Sequence, residues 1–295
     1  MNPRMPESTA VPLQNIVAVI TGANAGIGRA TAIELARRGA RVFLAARSEA
    51  KTRAVVEEIA RATPSAKPEF LSLDLGDFAS IRRCADDFLR RDLQLGLLIN
   101  NAGVAGQRGL TASGFELTFG TNHVGHFLFT SLLLERLKKS APARVITVSS
   151  RAHFRAGGID FEAVRRPTRS ISGFDEYGVS KLANVLFSAE LARRLQGTGV
   201  TTYAVHPGVV ASDIWRRVPP PFQWVMKLFM LSNEDGAKTT LHCATSAEAG
   251  TETGLYYDKC QTKRPSALAR DTDLAGELWR RSEAWTRASN LPASG

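Results

Sequence analysis

Short runs of consecutive apolar, mostly β-branched residues recur along this chain, and between them apolar positions return every three or four residues. Continuous apolar runs suit strands buried on both faces, and the longer spacing suits helices that cover them. The runs fall at 16–21, 41–46, 69–73, 97–100, 144–149, 200–206 and 254–257. After the first, Ile27, Ala30, Ile33 and Leu35 follow a helical spacing that Gly39 stops. Strand–helix alternation of this kind predicts an α/β fold, a single doubly wound parallel sheet with helices on both faces. The predicted domain occupies 15–287, between polar tails at 1–14 and 288–295, and no repeat or low-complexity tract interrupts it.

A length of 295 residues is accommodated by one such domain. The net charge of +10 comes from arginines scattered over many helices, without a basic run interleaved with aromatics. That pattern argues for a generally basic enzyme and against a nucleic-acid partner. Residues 1–14 hold three prolines and no apolar core, and no other apolar stretch is long enough to cross a bilayer. The expectation is therefore no transmembrane segment and a cytoplasmic location. Cys84, Cys243 and Cys260 lie far apart in no metal or redox motif, which suits a reducing compartment. His123 and His126 stand three apart without supporting ligands, so they are expected to pack or cap and no metal is expected.

Candidate chemistry sits in three places. Thr21-Gly22-Ala23-Asn24-Ala25-Gly26-Ile27-Gly28 joins the first strand to the first helix. Glycines there let backbone approach a pyrophosphate, and the helix N-terminus stabilises its charge. The spacing differs from the Gly-x-Gly-x-x-Gly fingerprint, and a plain glycine turn closing a βα unit is the alternative. Second, strand 41–46 ends without a carboxylate, at Arg47-Ser48. A guanidinium can grip a 2′-phosphate, so NADP(H) is expected over NAD(H). A solvated loop charge near Glu49 is the alternative. Third, Tyr177 and Lys181 share a helix face at i, i+4, where an ammonium can favour phenolate and lower the tyrosine pKa. Such a pair also arises as ordinary helix surface.

Taken together, these motifs resemble the short-chain dehydrogenase/reductase family along almost the whole chain, which implies a Rossmann-type fold. Residues 21–28 resemble its cofactor turn, in which Thr21, Gly22, Asn24, Ala25, Gly26, Ile27 and Gly28 would meet the cofactor. Asp74 and Leu75 are similar to the pair at the adenine ring, and Asn101, Ala102 and Gly103 stand in the Asn-Asn-Ala-Gly motif that begins at Asn100. Asn122, Ser150, Tyr177 and Lys181 match the catalytic tetrad. Pro207, Gly208, Val210 and Ser212 match the segment near the nicotinamide carboxamide, with Ser where the family has Thr. Segments 184–187, 194–210 and 241–244 are similar to the retinol dehydrogenase branch, although this chain does not begin with the hydrophobic anchor usual in animal members.

The resemblance implies hydride transfer between nicotinamide and a carbonyl or alcohol carbon. Tyr177 would be general acid/base, with Ser150 holding the reacting oxygen. Lys181 would bond the ribose and keep the Tyr177 pKa low, and Asn122 would link Lys181 to solvent as a relay. Individually, Ser150 can simply end a strand, Asn122 can cap a helix and Asp74 can be a strand-end carboxylate. The resemblance also implies a substrate lid at 209–232. Its Trp215, Phe222 and Trp224 suit a lipophilic substrate such as a retinoid, steroid or fatty aldehyde, or else core packing, a dimer contact or peripheral membrane contact. The insert at 162–172, rich in Arg and Ser, is expected as an exposed loop. A homo-oligomer, dimer or tetramer, is implied by family habit. From another class, a non-catalytic dinucleotide-binding regulatory or scaffold protein on the same fold is the competing reading.

Overall fold

The computed structural model describes residues 13–208 and 232–288. Its strands are β1 (Val17–Thr21), β2 (Arg41–Ala46), β3 (Glu69–Ser72), β4 (Leu97–Asn100), β5 (Ala143–Val148), β6 (Val200–His206), β7 (Leu255–Asp258) and β8 (Gln261–Thr262). They form a single sheet in the order β3-β2-β1-β4-β5-β6-β7-β8. Neighbours from β3 through β7 run parallel, and β8 alone pairs antiparallel, with β7. This is the expected doubly wound α/β sheet, with strand edges within a residue of the apolar runs. The eighth strand had no pattern to reveal it. Gln261 and Thr262 are exposed, and Lys259 and Cys260 make the reversal with φ of 54° and 59° in place of the Asn-Gly that marks such turns.

Alternation along the strands builds a core on each face. Val19, Phe43 and Ala45 face one layer, which holds the helices Phe78–Leu89, Gly125–Lys139, Phe174–Arg194 and Thr272–Ala288. Ala18, Ile20, Val42 and Leu44 face the other, covered by Gly26–Arg37, Glu49–Ala62 and Asn233–Thr245. The Phe174–Arg194 helix is seated by Phe187, which stacks on Trp279 with centroids 6.0 Å apart, while Phe127 meets both rings edge-on. Truncating such a ring to alanine costs about 3–5 kcal/mol. This packing fixes the far end of the helix whose first turn carries Tyr177.

The chain leaves β1 in one direction to β2 and β3, then returns to place β4 on β1's other side. Beyond the carboxyl ends of β1 and β4 the connections diverge and leave a crevice, the usual ligand position in such sheets.

The 162–172 insert is mostly exposed, as expected, but it is held at several points. The buried Glu116 carboxylate accepts from the Thr168 hydroxyl at 2.5 Å and from Phe119 N–H at 2.7 Å, and Glu116 N–H donates to Val164 O at 2.8 Å. Nearer the tyrosine helix, the Glu176 carboxylate accepts from the N–H groups of Arg169 and Ser170, each at 2.9 Å. Two carboxylates thus tie down a segment that remains mostly solvent-exposed. The lid expected at 209–232 lies outside the described residues except for Ser232, as do most of the two tails, although Leu13 is buried. Among the described residues no helix is long and apolar enough to cross a membrane.

Candidate active site

The crevice is a cavity of about 840 Å³. Its floor is the glycine turn. Gly22 and Gly26 adopt φ of +67° and +56°, a region open mainly to glycine. At Gly28 a Cβ would stand 2.4 Å from Asn101 Nδ2 and 2.5 Å from Gly22 O, so a side chain there would break the contact between the turn and the Asn101 loop. The Gly26–Arg37 helix begins at Ala25 without a side-chain cap or an acidic residue in its first turn. Its first N–H groups are thus left for an anion, and Ala25, Gly26 and Ile27 line the cavity. Arg47, Asp74 and Leu75 close the same end of the cavity. Glu49 pairs with Arg53 at 2.6 Å, and among the described residues Arg47 has no carboxylate partner. This donor set fits a dinucleotide with an added phosphate at Arg47.

Beneath the floor is a buried junction. Thr21 Oγ1 accepts from the N–H groups of Asn101 and Ala102, both at 2.9 Å, and Asn101 Nδ2 returns a bond to Thr21 O at 2.9 Å. His126 Nε2 also meets Thr21 Oγ1 at 2.8 Å, while its Nδ1 meets Asn122 O at 2.9 Å. With two N–H donors already on Thr21 Oγ1, the consistent arrangement has Thr21 O–H donating to Nε2 and Nδ1–H donating to Asn122 O. Burial holds the His126 pKa down to about 4, so the ring is neutral. The packing role expected of His123 and His126 is met, but the link from His126 to the cofactor turn had no signal in the sequence.

Asn122 lies in Gly120–Val124, a single π-helical turn in which Gly125 N–H reaches back to Gly120 O. It is therefore not an N-cap. Its Oδ1 accepts from Val104 N–H at 2.8 Å, and its Nδ2 donates to Val104 O and Ser180 Oγ, both at 3.0 Å. The asparagine thus ties the loop after β4 to the tyrosine helix. A Cβ on Gly103 would lie 3.4 Å from Asn122 Oδ1 and 3.5 Å from Lys181 Nζ, so glycine leaves these polar ends facing across a gap.

Ser150, Tyr177 and Lys181 converge on the opposite wall. Lys181 is buried, with Nζ 2.9 Å from Val148 O and 5.5 Å from the Tyr177 ring centroid. The expected depression of the Tyr177 pKa is not what the structure gives. Burial raises it, and the neighbouring Ser150 hydroxyl offsets only part of that rise. Burial also penalises the charged form of Lys181, lowering its pKa to about 7.

Of the other expected cofactor residues, Ala102, Gly103, Pro207 and Gly208 line the cavity beside Asn101. Thr21, Asn24 and Asn122 do not line it; Thr21 and Asn122 are buried behind the wall and act through their hydrogen bonds. Val210 and Ser212 fall outside the described residues. Sequence reasoning missed Val104, Thr121, Arg151, Ala152, Arg155, Phe174, His206 and Asn233 on the wall. Several adjoin motif residues, a proximity that was the only available signal.

A family profile described as short chain dehydrogenase matches residues 16–221. The chain belongs to the short-chain dehydrogenase family. It is therefore an oxidoreductase acting on CH–OH groups. It is 48% identical over 282 residues to human retinol dehydrogenase 12, covering 92% of this chain and 86% of that protein. Human retinol dehydrogenase 11 is 45% identical, with the same coverage of each chain. Among solved structures, an uncharacterised protein from Mycobacterium paratuberculosis superposes with a TM-score of 0.77 at 35% identity, covering 94% of this chain and 96% of that one. The Pseudomonas aeruginosa RhlG/NADP complex superposes at 0.66 with 27% identity, covering 83% and 94%.

Proposed function

We propose that this protein is an NADP(H)-dependent oxidoreductase that moves hydride between nicotinamide and a lipophilic carbonyl or alcohol, with Tyr177 as general acid/base. The observation that carries this is the convergence of Ser150, Tyr177 and Lys181 on one cavity, with Lys181 Nζ 5.5 Å from the tyrosine ring, where an uncapped helix start also lines the wall. Arg47, without a carboxylate partner among the described residues, supports recognition of a 2′-phosphate, and the relatives named retinol dehydrogenases support a lipophilic substrate. Gly22, Gly26 and Gly28 would hold the pyrophosphate, Asp74 and Leu75 the adenine end, and Pro207 and Gly208 the carboxamide end. When bound, the cofactor supplies or accepts the hydride.

In reduction, the Tyr177 hydroxyl gives its proton to the substrate oxygen as negative charge builds there. Ser150 holds that oxygen in place. The phenolate left on Tyr177 is the form Lys181 stabilises. A raised tyrosine pKa keeps the hydroxyl protonated and ready to donate. Tyr177→Phe should lower turnover of a panel containing retinal, a steroid ketone and a fatty aldehyde by about a hundredfold or more, leaving NADPH affinity nearly unchanged. A near-normal rate in that variant would remove Tyr177 from its role. Tight NADPH binding by the wild type with no oxidation by any carbonyl would favour dinucleotide sensing instead.

A further inference from the structure

Ser150 is followed at once by a short 3-10 helix, Arg151–Arg155, and both of its arginines line the cavity. The helix is firmly held. Ser150 Oγ accepts from Ala152 N–H at 3.2 Å, His153 Nδ1 donates to Ser150 O at 2.7 Å, and His153 Nε2 accepts from Ser266 N–H at 3.2 Å. Arg155 leans on the tyrosine helix, where a Cβ on Gly178 would lie 4.0 Å from Arg155 Cβ. Both arginines therefore stand on a well-held element that begins directly after Ser150 and lines the same cavity as Tyr177.

Their charges are poorly compensated. Arg151 is 70% exposed and reaches only to Asp258, at 3.7 Å, while Arg155 is exposed and has no carboxylate partner among the described residues. Among the described residues Asp74 is the sole carboxylate residue lining the cavity, and it sits at the Arg47 end with Oδ1 accepting from Gly76 N–H at 2.9 Å. A cleft for a wholly apolar carbonyl compound gains nothing from two guanidiniums at its substrate end. An oxyanion gains charge-assisted hydrogen bonds of matching planar geometry.

We infer that the preferred substrate carries an oxyanion group, a carboxylate or a phosphate, at the end away from its reacting carbon, and that Arg151 and Arg155 recognise it. This rests on the oxidoreductase reading of the site and narrows its substrate from lipophilic to amphiphilic.

The test is binding to protein saturated with NADP, so that an anionic probe cannot occupy the pyrophosphate position. Dodecanoate, dodecyl phosphate and dodecanol are titrated against wild type, Arg155→Leu and the Arg151→Leu/Arg155→Leu double variant. Either or both anions should bind wild type at least about tenfold more tightly than dodecanol, and which of them does so identifies the group. The double variant should lose that advantage and keep its affinity for dodecanol. Equal affinities in wild type, no anion binding, or an advantage that survives in the double variant overturns the inference. Turnover is read separately, with an aldehyde bearing a distal carboxylate against its methyl ester. Selective anion binding without turnover of either removes the oxidoreductase reading alone, whereas equal turnover of both with no anion preference removes only the arginine assignment.

Discussion

Acidification should destabilise this protein through its histidines. All five have pKa values held below the ordinary 6.5, with burial the first cause in each. His123 is lowered to about 3 and His126 to about 4, and both are almost wholly buried. The folded state keeps them neutral, while the unfolded chain takes up protons near 6.5. Between the folded and unfolded values the unfolded state binds more protons, so stability present above 6.5 is lost as pH falls towards 4. At pH 5 each of these two has fallen about 1.5 pH units below the unfolded value, a loss of about 2 kcal/mol at 1.36 kcal/mol per unit. Together they remove about 4 kcal/mol, a large share of the 5–15 kcal/mol typical of a folded protein. Urea unfolding at pH 7 and pH 5, followed by tryptophan fluorescence, measures the difference. His126→Gln should cut it by about 2 kcal/mol. Equal wild-type stability at the two pH values, or an unchanged difference in the variant, would refute the reasoning.

Three further outcomes are expected. Arg47→Ala should weaken NADPH by about tenfold to a hundredfold and NADH hardly at all, since only the former offers a phosphate for charge-assisted bonds; equal losses in a titration would contradict phosphate recognition. Gly28→Ala forces a Cβ to within 2.5 Å of Gly22 O, so it should cost about 1–3 kcal/mol in thermal unfolding and most of the cofactor affinity. An unchanged Tm with full binding would mean the turn can yield. Because the Lys181 pKa stands at about 7, binding the anionic cofactor near pH 7.5 should raise it and draw in a proton. Calorimetry in two buffers of different ionisation enthalpy reads this uptake, and Lys181→Met should abolish it.

The sheet was legible because its parallel strands are buried on both faces and therefore leave unbroken apolar runs. Motif residues on the cavity wall were legible for a different reason: glycines, a tyrosine and a lysine at fixed spacing answer to local geometry. What escaped was set by tertiary partners. Glu116 is a single carboxylate in sequence, yet its burial and its bonds to Thr168 and Phe119 turn an apparent loop into a braced segment. The Tyr177 pKa was misjudged because charge was counted without burial, which bears on Lys181 as heavily as on the tyrosine. Arg151 and Arg155 carry no motif, and only the course of the chain after β5 puts them on the cavity wall.

The imidazole–hydroxyl contact between His126 and Thr21 joins parts of the chain 105 residues apart. Three of the motifs that define the pocket consequently share a single oxygen atom. Exchanging any of them for a version from a distant relative would be tolerated only if the other two changed in concert, so drift at these positions is expected to be coordinated, and piecemeal transplantation of this pocket into another scaffold should fail at that atom first.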